Sequence, residues 1–237
     1  MANKTAYVTG CDRGLGLALA RQLLERNYIV FAGEYMKAWP ELGELGRFSG
    51  RLHIVPLDVT SRESVEGAAA VIRGQTDKLD LLINNAAIFT DRSGDIFGEL
   101  YDEDLLRLYN TNALGPLRVT NSVIDLLVKG RDKRLVNISS ESGSIGNNWR
   151  KQEFGYSMSK AALNMQSVML QEHLREYGIK VLALHPGYVR SYMLGKLNED
   201  ATVEADDAAA GILQETLRPH ALDGPVYLDY KGNQLPW

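Results

Sequence analysis

The 237-residue chain has one cysteine, Cys11, and four histidines, His53, His173, His185 and His220. A lone thiol cannot close an intrachain disulfide. The histidines show neither an HExxH spacing nor a cluster with cysteine, which speaks against a protein-held metal. No uninterrupted apolar run approaches the roughly 20 residues that cross a bilayer. A strand leading into a glycine-rich turn starts within the first ten positions, which leaves no room for a signal peptide. A cytoplasmic protein without a membrane partner is expected. A basic excess is missing too: 26 Lys and Arg stand among 30 Asp and Glu, for a formal net charge of −4. Because the basic residues are interspersed with acidic ones, no nucleic-acid footprint is expected. There is no Pro/Gly/Ser linker, low-complexity run or internal repeat, so one domain over 1–237 is expected.

What is present is an alternation of short β-rich runs and helical segments. "TAYVTG" leads into a helix near 14–26, then come "YIVFAG", "RLHIVPLDV", a helix near 61–74 and "LDLLINNA". A long helix within 102–129 follows, then "RLVNISS", a helix near 156–177, "IKVLALHPG", a helix near 204–218 and "PVYLDY". Several of the strands are continuously apolar, as strands covered on both faces must be. The pattern predicts an α/β fold: a doubly wound, seven-stranded parallel sheet with helices on both faces.

The first strand runs into Thr9-Gly10-Cys11-Asp12-Arg13-Gly14-Leu15-Gly16 and then into an amphipathic helix with Leu15, Leu19 and Leu23 on one side. Glycines at a strand-to-helix turn let a diphosphate approach the helix N-terminus, where free N–H groups and the helix dipole favour an anion. Glycines alone also serve tight turns, so the strand before and the helix after carry the argument. Glu34, near the end of the second strand, stands where a carboxylate takes the ribose hydroxyls of NAD, whereas Arg13 could meet the 2′-phosphate of NADP. Glu34 is given more weight, because a carboxylate repels a phosphate. Asp58-Val59 and "NNAA" (84–87) end the third and fourth strands, at the edge where open α/β sheets bind ligands. Asn112, flanked by Gly115 and Pro116, predicts a local distortion of its helix. Ser140 follows the fifth strand. Tyr156 and Lys160 lie four residues apart on one helix face, after a loop ending at Gly155, so the ammonium is expected near the phenol.

"TGCDRGLG", "DVT", "NNAA", "NALG", "NISSESG", "YSMSK" and "HPGYV" occur in order and at spacings that resemble the short-chain dehydrogenase/reductase family over nearly the whole chain. "SKAALNM" and "YLDYKGNQLPW" are similar to its C-factor-like carbonyl reductase branch. The resemblance implies a Rossmann-type fold, an NAD(P)(H) cofactor and a small carbonyl or alcohol substrate. It implies that Tyr156 donates the proton, Ser140 rather than Ser139 holds the carbonyl, Lys160 binds the ribose and Asn112 orders a water relay. The implied cofactor contacts are Gly10, Arg13, Gly14, Leu15, Gly16, Glu34, Asp58, Val59, Asn85, Ala86, Tyr156, Lys160, Pro186, Gly187, Val189 and Ser191. Ala87 replaces the usual glycine, Tyr192 replaces an acid, and Tyr35 stands where NADP-preferring members commonly carry Arg, which agrees with Glu34 and slightly favours NAD.

A free phenol titrates at about 10, so work near neutral pH asks for about 4 kcal/mol of selective phenolate stabilisation. The Lys160 charge and an oxidised nicotinamide are expected to supply it. Phe89, Trp149, Tyr188, Tyr192 and Trp237 are candidate pocket walls, with Trp237 expected beside the substrate cleft. The helices at 102–129 and 156–177 carry apolar residues on several sides and, by the resemblance, build a homodimer or higher homo-oligomer. Two alternatives stay open. One is an NAD(H)-binding signalling or sensor protein without turnover, against which the complete Ser140, Asn112, Tyr156 and Lys160 set argues. The other is a sugar-nucleotide epimerase or dehydratase, against which the short C-terminal part and the glycine spacing argue.

Overall fold

Short runs dominated by Val, Ile, Leu and Ala form seven strands: β1 Thr5–Val8, β2 Ile29–Glu34, β3 Leu52–Pro56, β4 Leu81–Asn84, β5 Arg134–Ile138, β6 Lys180–His185 and β7 Val226–Asp229. In the computed structural model, which describes residues 3–37, 39–90, 92 and 95–237, they pair in parallel in the order β3-β2-β1-β4-β5-β6-β7. The predicted doubly wound sheet is the one observed. Its order reverses between β1 and β4, which opens a crevice at their carboxyl ends.

The continuous apolarity of the strands follows from two cores. Successive side chains point to opposite faces, so Leu81 and Ile83 of β4 join one cluster while Leu82 joins the other. Helices α1 Gly14–Glu25 and α7 Ala205–Leu217 cover the first face, with Leu19, Leu23, Ile212 and Leu213 buried there. A short turn of helix, α2 Glu41–Glu44, lies after β2. Helices α3 Arg62–Arg73, α5 Gly115–Val128 and α6 Phe154–Leu174 cover the second face around Tyr7, Phe31, Val123 and Val181.

The long helix expected within 102–129 is three pieces: α4 Asp102–Tyr109, a π-helical turn Asn110–Leu114, and α5. The cause is local. Pro116 has no N–H to return to the carbonyl of Asn112, so the regular ladder cannot run through. The turn widens instead, and the Gly115 N–H bonds the carbonyl of Asn110. Asn112 is thereby buried at the bulge. The helix bearing Tyr156 starts earlier than expected, at Phe154, so Gly155 belongs to its first turn and does not close the preceding loop. Among the described residues no helix is long and apolar enough to cross a membrane, and no cluster of His, Cys, Asp or Glu could hold a metal ion.

Candidate active site

The turn after β1 is locked by close approach. Gly10 has φ +67°, and a Cβ placed there would lie 2.9 Å from the Cα of Ala86. A Cβ on Gly16 would lie 1.9 Å from the carbonyl oxygen of Gly10. Asn85 Nδ2 donates to the carbonyls of Thr9 at 2.9 Å and Gly10 at 3.0 Å, and Thr9 Oγ1 accepts the N–H groups of Asn85 and Ala86. Both residues were expected at the cofactor; their contacts brace the turn that would hold it. The N-cap residue of α1, Arg13, makes no side-chain cap, and no acidic residue stands in the first turn. The amides of Gly14, Leu15 and Gly16 are therefore left as the uncapped N–H groups of a helix N-terminus, which suit a dinucleotide diphosphate. The Leu15 side chain itself packs against the α1/α7 core.

Glu34 ends β2, as expected. Beside it the buried Asp12 accepts the N–H groups of Tyr35, at 2.8 Å, and Met36. Asp12 holds the chain where it leaves β2, a role the glycine spacing did not reveal. Arg13, expected at a phosphate, has partners in the protein: its guanidinium lies 4.3 Å from the Trp39 ring centre and 5.4 Å from that of Tyr192, and Nη2 donates to the Tyr192 carbonyl at 3.1 Å. It thus joins the segment after β2 to the segment after β6. Asp58 Oδ1 accepts from the Thr60 N–H and hydroxyl, which makes it a turn-former with its second oxygen outside that bond pair, and Val59 packs against Gly115. After β6, Pro186 and Gly187 lead to Val189, which bridges Val203, and to Ser191, whose Cβ would lie 3.6 Å from one placed on Gly14. This segment lies over the glycine turn.

Ser139 and Ser140 follow β5 and diverge. Ser139 Oγ donates to Asn164 Oδ1 of α6 at 2.6 Å. Ser140 Oγ lies 3.1 Å from that of Ser142, and its carbonyl accepts the Tyr227 hydroxyl at 2.5 Å. Trp237 packs on Tyr227, ring centres 5.0 Å apart, and its carbonyl accepts the Gly146 N–H at 2.9 Å. The C-terminal segment therefore supports the loop that carries Ser140. Of the other aromatic candidates, Phe89 packs tilted against Tyr156, ring centres 4.9 Å apart, while Trp149 and Tyr188 are exposed.

Tyr156 and Lys160 project from one face of α6, with the ammonium over the Tyr156 ring and its hydrogen bond going to main chain. Lys160 Nζ donates to the Ile138 carbonyl at 2.9 Å and sits 5.7 Å from the centre of the Tyr156 ring. Burial lowers the lysine to a pKa of about 8. Burial likewise pushes the Tyr156 phenol up to about 12, against a smaller downward pull from its hydrogen bond with Ser140. In the protein alone burial therefore favours the protonated phenol, and the lowering expected from Lys160 together with an oxidised nicotinamide belongs to the dinucleotide-bound state. Asn112 spends its side chain on protein. Oδ1 accepts the Ile88 N–H at 2.9 Å, and Nδ2 donates to the Ile88 carbonyl at 3.0 Å and to Ser159 Oγ at 3.1 Å. Ser159 Oγ in turn donates to the Tyr156 carbonyl at 2.7 Å. The π-turn is thus tied to the turn of α6 that bears Tyr156, through a serine that the motif spacing passed over.

A glycine turn at a βαβ switch point, with a protonated phenol, a serine hydroxyl and a buried lysine along the same sheet edge, defines a nicotinamide-dependent oxidoreductase of the Rossmann type. The short chain dehydrogenase family model matches residues 4–202, and the chain belongs to that family. It is 35% identical over 237 residues to an uncharacterized oxidoreductase of Schizosaccharomyces pombe, covering 98% of this chain and 84% of that protein. It is 37% identical over 166 residues to C-signal of Myxococcus xanthus, covering 68% of this chain and 95% of that protein. Among solved structures it is similar to NADPH-bound carbonyl reductase from chicken fatty liver, with a TM-score of 0.89, 32% identity and full coverage of both chains. It is similar also to the carbonyl reductase Sniffer of Drosophila melanogaster, with a TM-score of 0.90, 27% identity and full coverage of both chains. Within the family it stands in the carbonyl-reductase-like branch.

Proposed function

We propose that the protein interconverts a small carbonyl compound and its alcohol, with Tyr156 as the proton donor in reduction. The observation that carries this reading is a phenol held protonated by burial and joined by a hydrogen bond to Ser140. Hydride is the chemistry that a bound nicotinamide supplies. Ser140 Oγ, facing the same oxygen as the phenol, orients the substrate carbonyl, and Tyr156 gives its proton to that oxygen as charge develops there. The phenolate left behind is negative in a buried place, and Lys160 is the cation nearest on the same helix. Asn112 and Ser159 keep the Tyr156 turn in place. Phe89 walls the phenol with an apolar surface and limits water beside it.

For the dinucleotide, Glu34 at the end of β2 favours NAD, because Arg13 is already held against Trp39 and Tyr192. The NADPH in the chicken enzyme's structure argues the other way. A homodimer is proposed through α4 and α6, which expose Leu106, Tyr109, Met165 and Met169.

One experiment tests the reading: fluorescence titration with NADH and NADPH, then a panel of small aldehydes and ketones with wild type and Tyr156→Phe. Turnover in wild type that falls by about 100-fold or more in the variant, with dinucleotide binding kept, supports it. Dinucleotide binding without turnover over the panel rejects it in favour of a sensor. Tighter NADPH than NADH binding rejects the NAD preference alone.

A further inference from the structure

We propose that Arg150 is a positioning residue for this reaction: its guanidinium ties the turn that carries Ser140 to the start of the helix that carries Tyr156. The inference rests on the roles assigned to those two residues above. Arg150 lies in the loop between β5 and α6, and its side chain is only 14% exposed. Nη2 donates to Glu141 Oε1 at 2.7 Å, and Nε lies 3.5 Å from Glu153 Oε2. Glu141 is the residue after Ser140. Glu153 is the N-cap residue of α6, and its carbonyl accepts the Ser157 N–H at 2.9 Å, closing the helical turn that contains Tyr156. One planar cation thus spans the two backbone segments whose separation fixes the distance between the serine hydroxyl and the phenol. A guanidinium suits that task because its donors are set in a rigid fork.

A second observation points the same way. Glu153 has φ +64°, in the left-handed region that side-chain-bearing residues seldom adopt. Such a conformation persists only where the surroundings over-determine it, and it sits three residues before the phenol. The Arg150 ion pair and the helix that starts at Phe154 are the constraints in place. Arg150 is also stacked on Trp149, with its guanidinium carbon 4.5 Å from the ring centre, so the outer side of the fork is closed by an aromatic plate.

The charges around the phenol come from every element packed on it. Glu153 precedes it on α6, Arg150 comes from the loop, Tyr227 from β7 and Lys160 from the next turn of α6. Burial lowers His185 at the end of β6, and Glu141 and Arg150 act on it in opposite directions. Arg150 opposes Glu153 at the phenol, so removing it shifts the proton donor towards higher pH as well as loosening it.

The test compares wild type, Arg150→Met and Arg150→Lys. In steady-state carbonyl reduction, Arg150→Met lowers kcat by about 10- to 100-fold, the scale of a misplaced reacting group. It also moves the alkaline limb of the kcat profile upward and leaves dinucleotide Kd within about twofold, since the cofactor turn is elsewhere. Arg150→Lys, which keeps the charge and loses the fork, restores the pH limb and part of kcat. An unchanged kcat and profile in Arg150→Met overturns the proposal. So does a joint loss of kcat and dinucleotide affinity, which marks a general structural role. Amide hydrogen exchange reads the tie without turnover. Faster exchange in Arg150→Met at both 140–144 and 153–157, with β1 and α1 unchanged, supports it, and a change confined to 148–152 overturns it. If wild type reduces no carbonyl, the proton-donor reading fails, and the exchange result still decides whether Arg150 joins the two segments.

Discussion

Replacing Lys160 with Met should stabilise the protein at neutral pH while destroying its proposed activity. Lys160 is 2% exposed and has one hydrogen bond, to the Ile138 carbonyl. Burial holds its pKa at about 8 in the folded chain, against 10.5 when free. Below pH 8 both states carry the proton, and the folded state bears the whole cost of a desolvated ammonium, about 3 kcal/mol at 1.36 kcal/mol for each pH unit. Between pH 8 and 10.5 the folded lysine releases its proton while the unfolded one keeps it. The unfolded state then binds more protons, so wild-type stability rises with pH through that window by up to the same amount. Above about pH 10 the rise ends, because burial raises Tyr7 and Tyr156 in the fold and the unfolded tyrosines ionise first. Methionine removes the charge and fills a similar volume, at the expense of about 1 kcal/mol for the lost bond to Ile138. The net gain in the variant is therefore about 2 kcal/mol near pH 7, and it vanishes near pH 10. Urea denaturation of the dinucleotide-free protein over this range measures both trends. A wild type whose stability is flat from pH 8 to 10, together with a Lys160→Met variant no more stable at pH 7, would refute the argument and return Lys160 to an ordinary buried anchor.

Two other outcomes follow from the site. Gly16→Ala should weaken dinucleotide binding by about 100-fold or more and lower stability by about 1–3 kcal/mol, because its Cβ would fall 1.9 Å from the Gly10 carbonyl oxygen; fluorescence titration and urea melts check it, and wild-type affinity would show that the turn can move aside. Deleting residues 235–237 removes the carbonyls that accept from Ser144 Oγ, at 2.6 Å, and from the Gly146 N–H, along with the Trp237 ring on Tyr227. The KM for carbonyl should rise severalfold with dinucleotide Kd unchanged, and an unaltered KM and melting temperature would reject a role for the tail at the Ser140 loop.

The sheet was legible because parallel strands between two helical layers must be apolar on both faces, and residues such as Leu81 to Ile83 show that as an unbroken run. The break at Asn112 was legible as well, because Pro116 is a covalent fact that no tertiary contact can repair. What spacing could not give was depth. The four-residue interval between Tyr156 and Lys160 fixes the angle at which the side chains leave the helix, but not how far each travels or what it meets. Lys160 travels inward to the end of β5, so burial that only the packed sheet supplies lowers its proton affinity.

The same limit explains Asp12, Asn85 and Ser159. Asp12 and Asn85 meet main-chain groups brought alongside by strand order, and Ser159 meets Asn112 only because two helices dock, none of which leaves a signature in a residue pattern. The motif residues that do stand out divide the work unevenly. Gly10, Asn85, Asn112 and Ser139 are satisfied within the protein, while Tyr156 and Lys160 are held with their protonation pushed away from the ordinary values by burial. A site that meets the nearest polar demands of its frame, yet leaves its two ionisable members in electrostatic debt, is one whose missing interaction must come from what binds there. Under the proposed function, a bound dinucleotide would supply that interaction to both groups, with Lys160 placed to hold its ribose and Tyr156 to give up its proton.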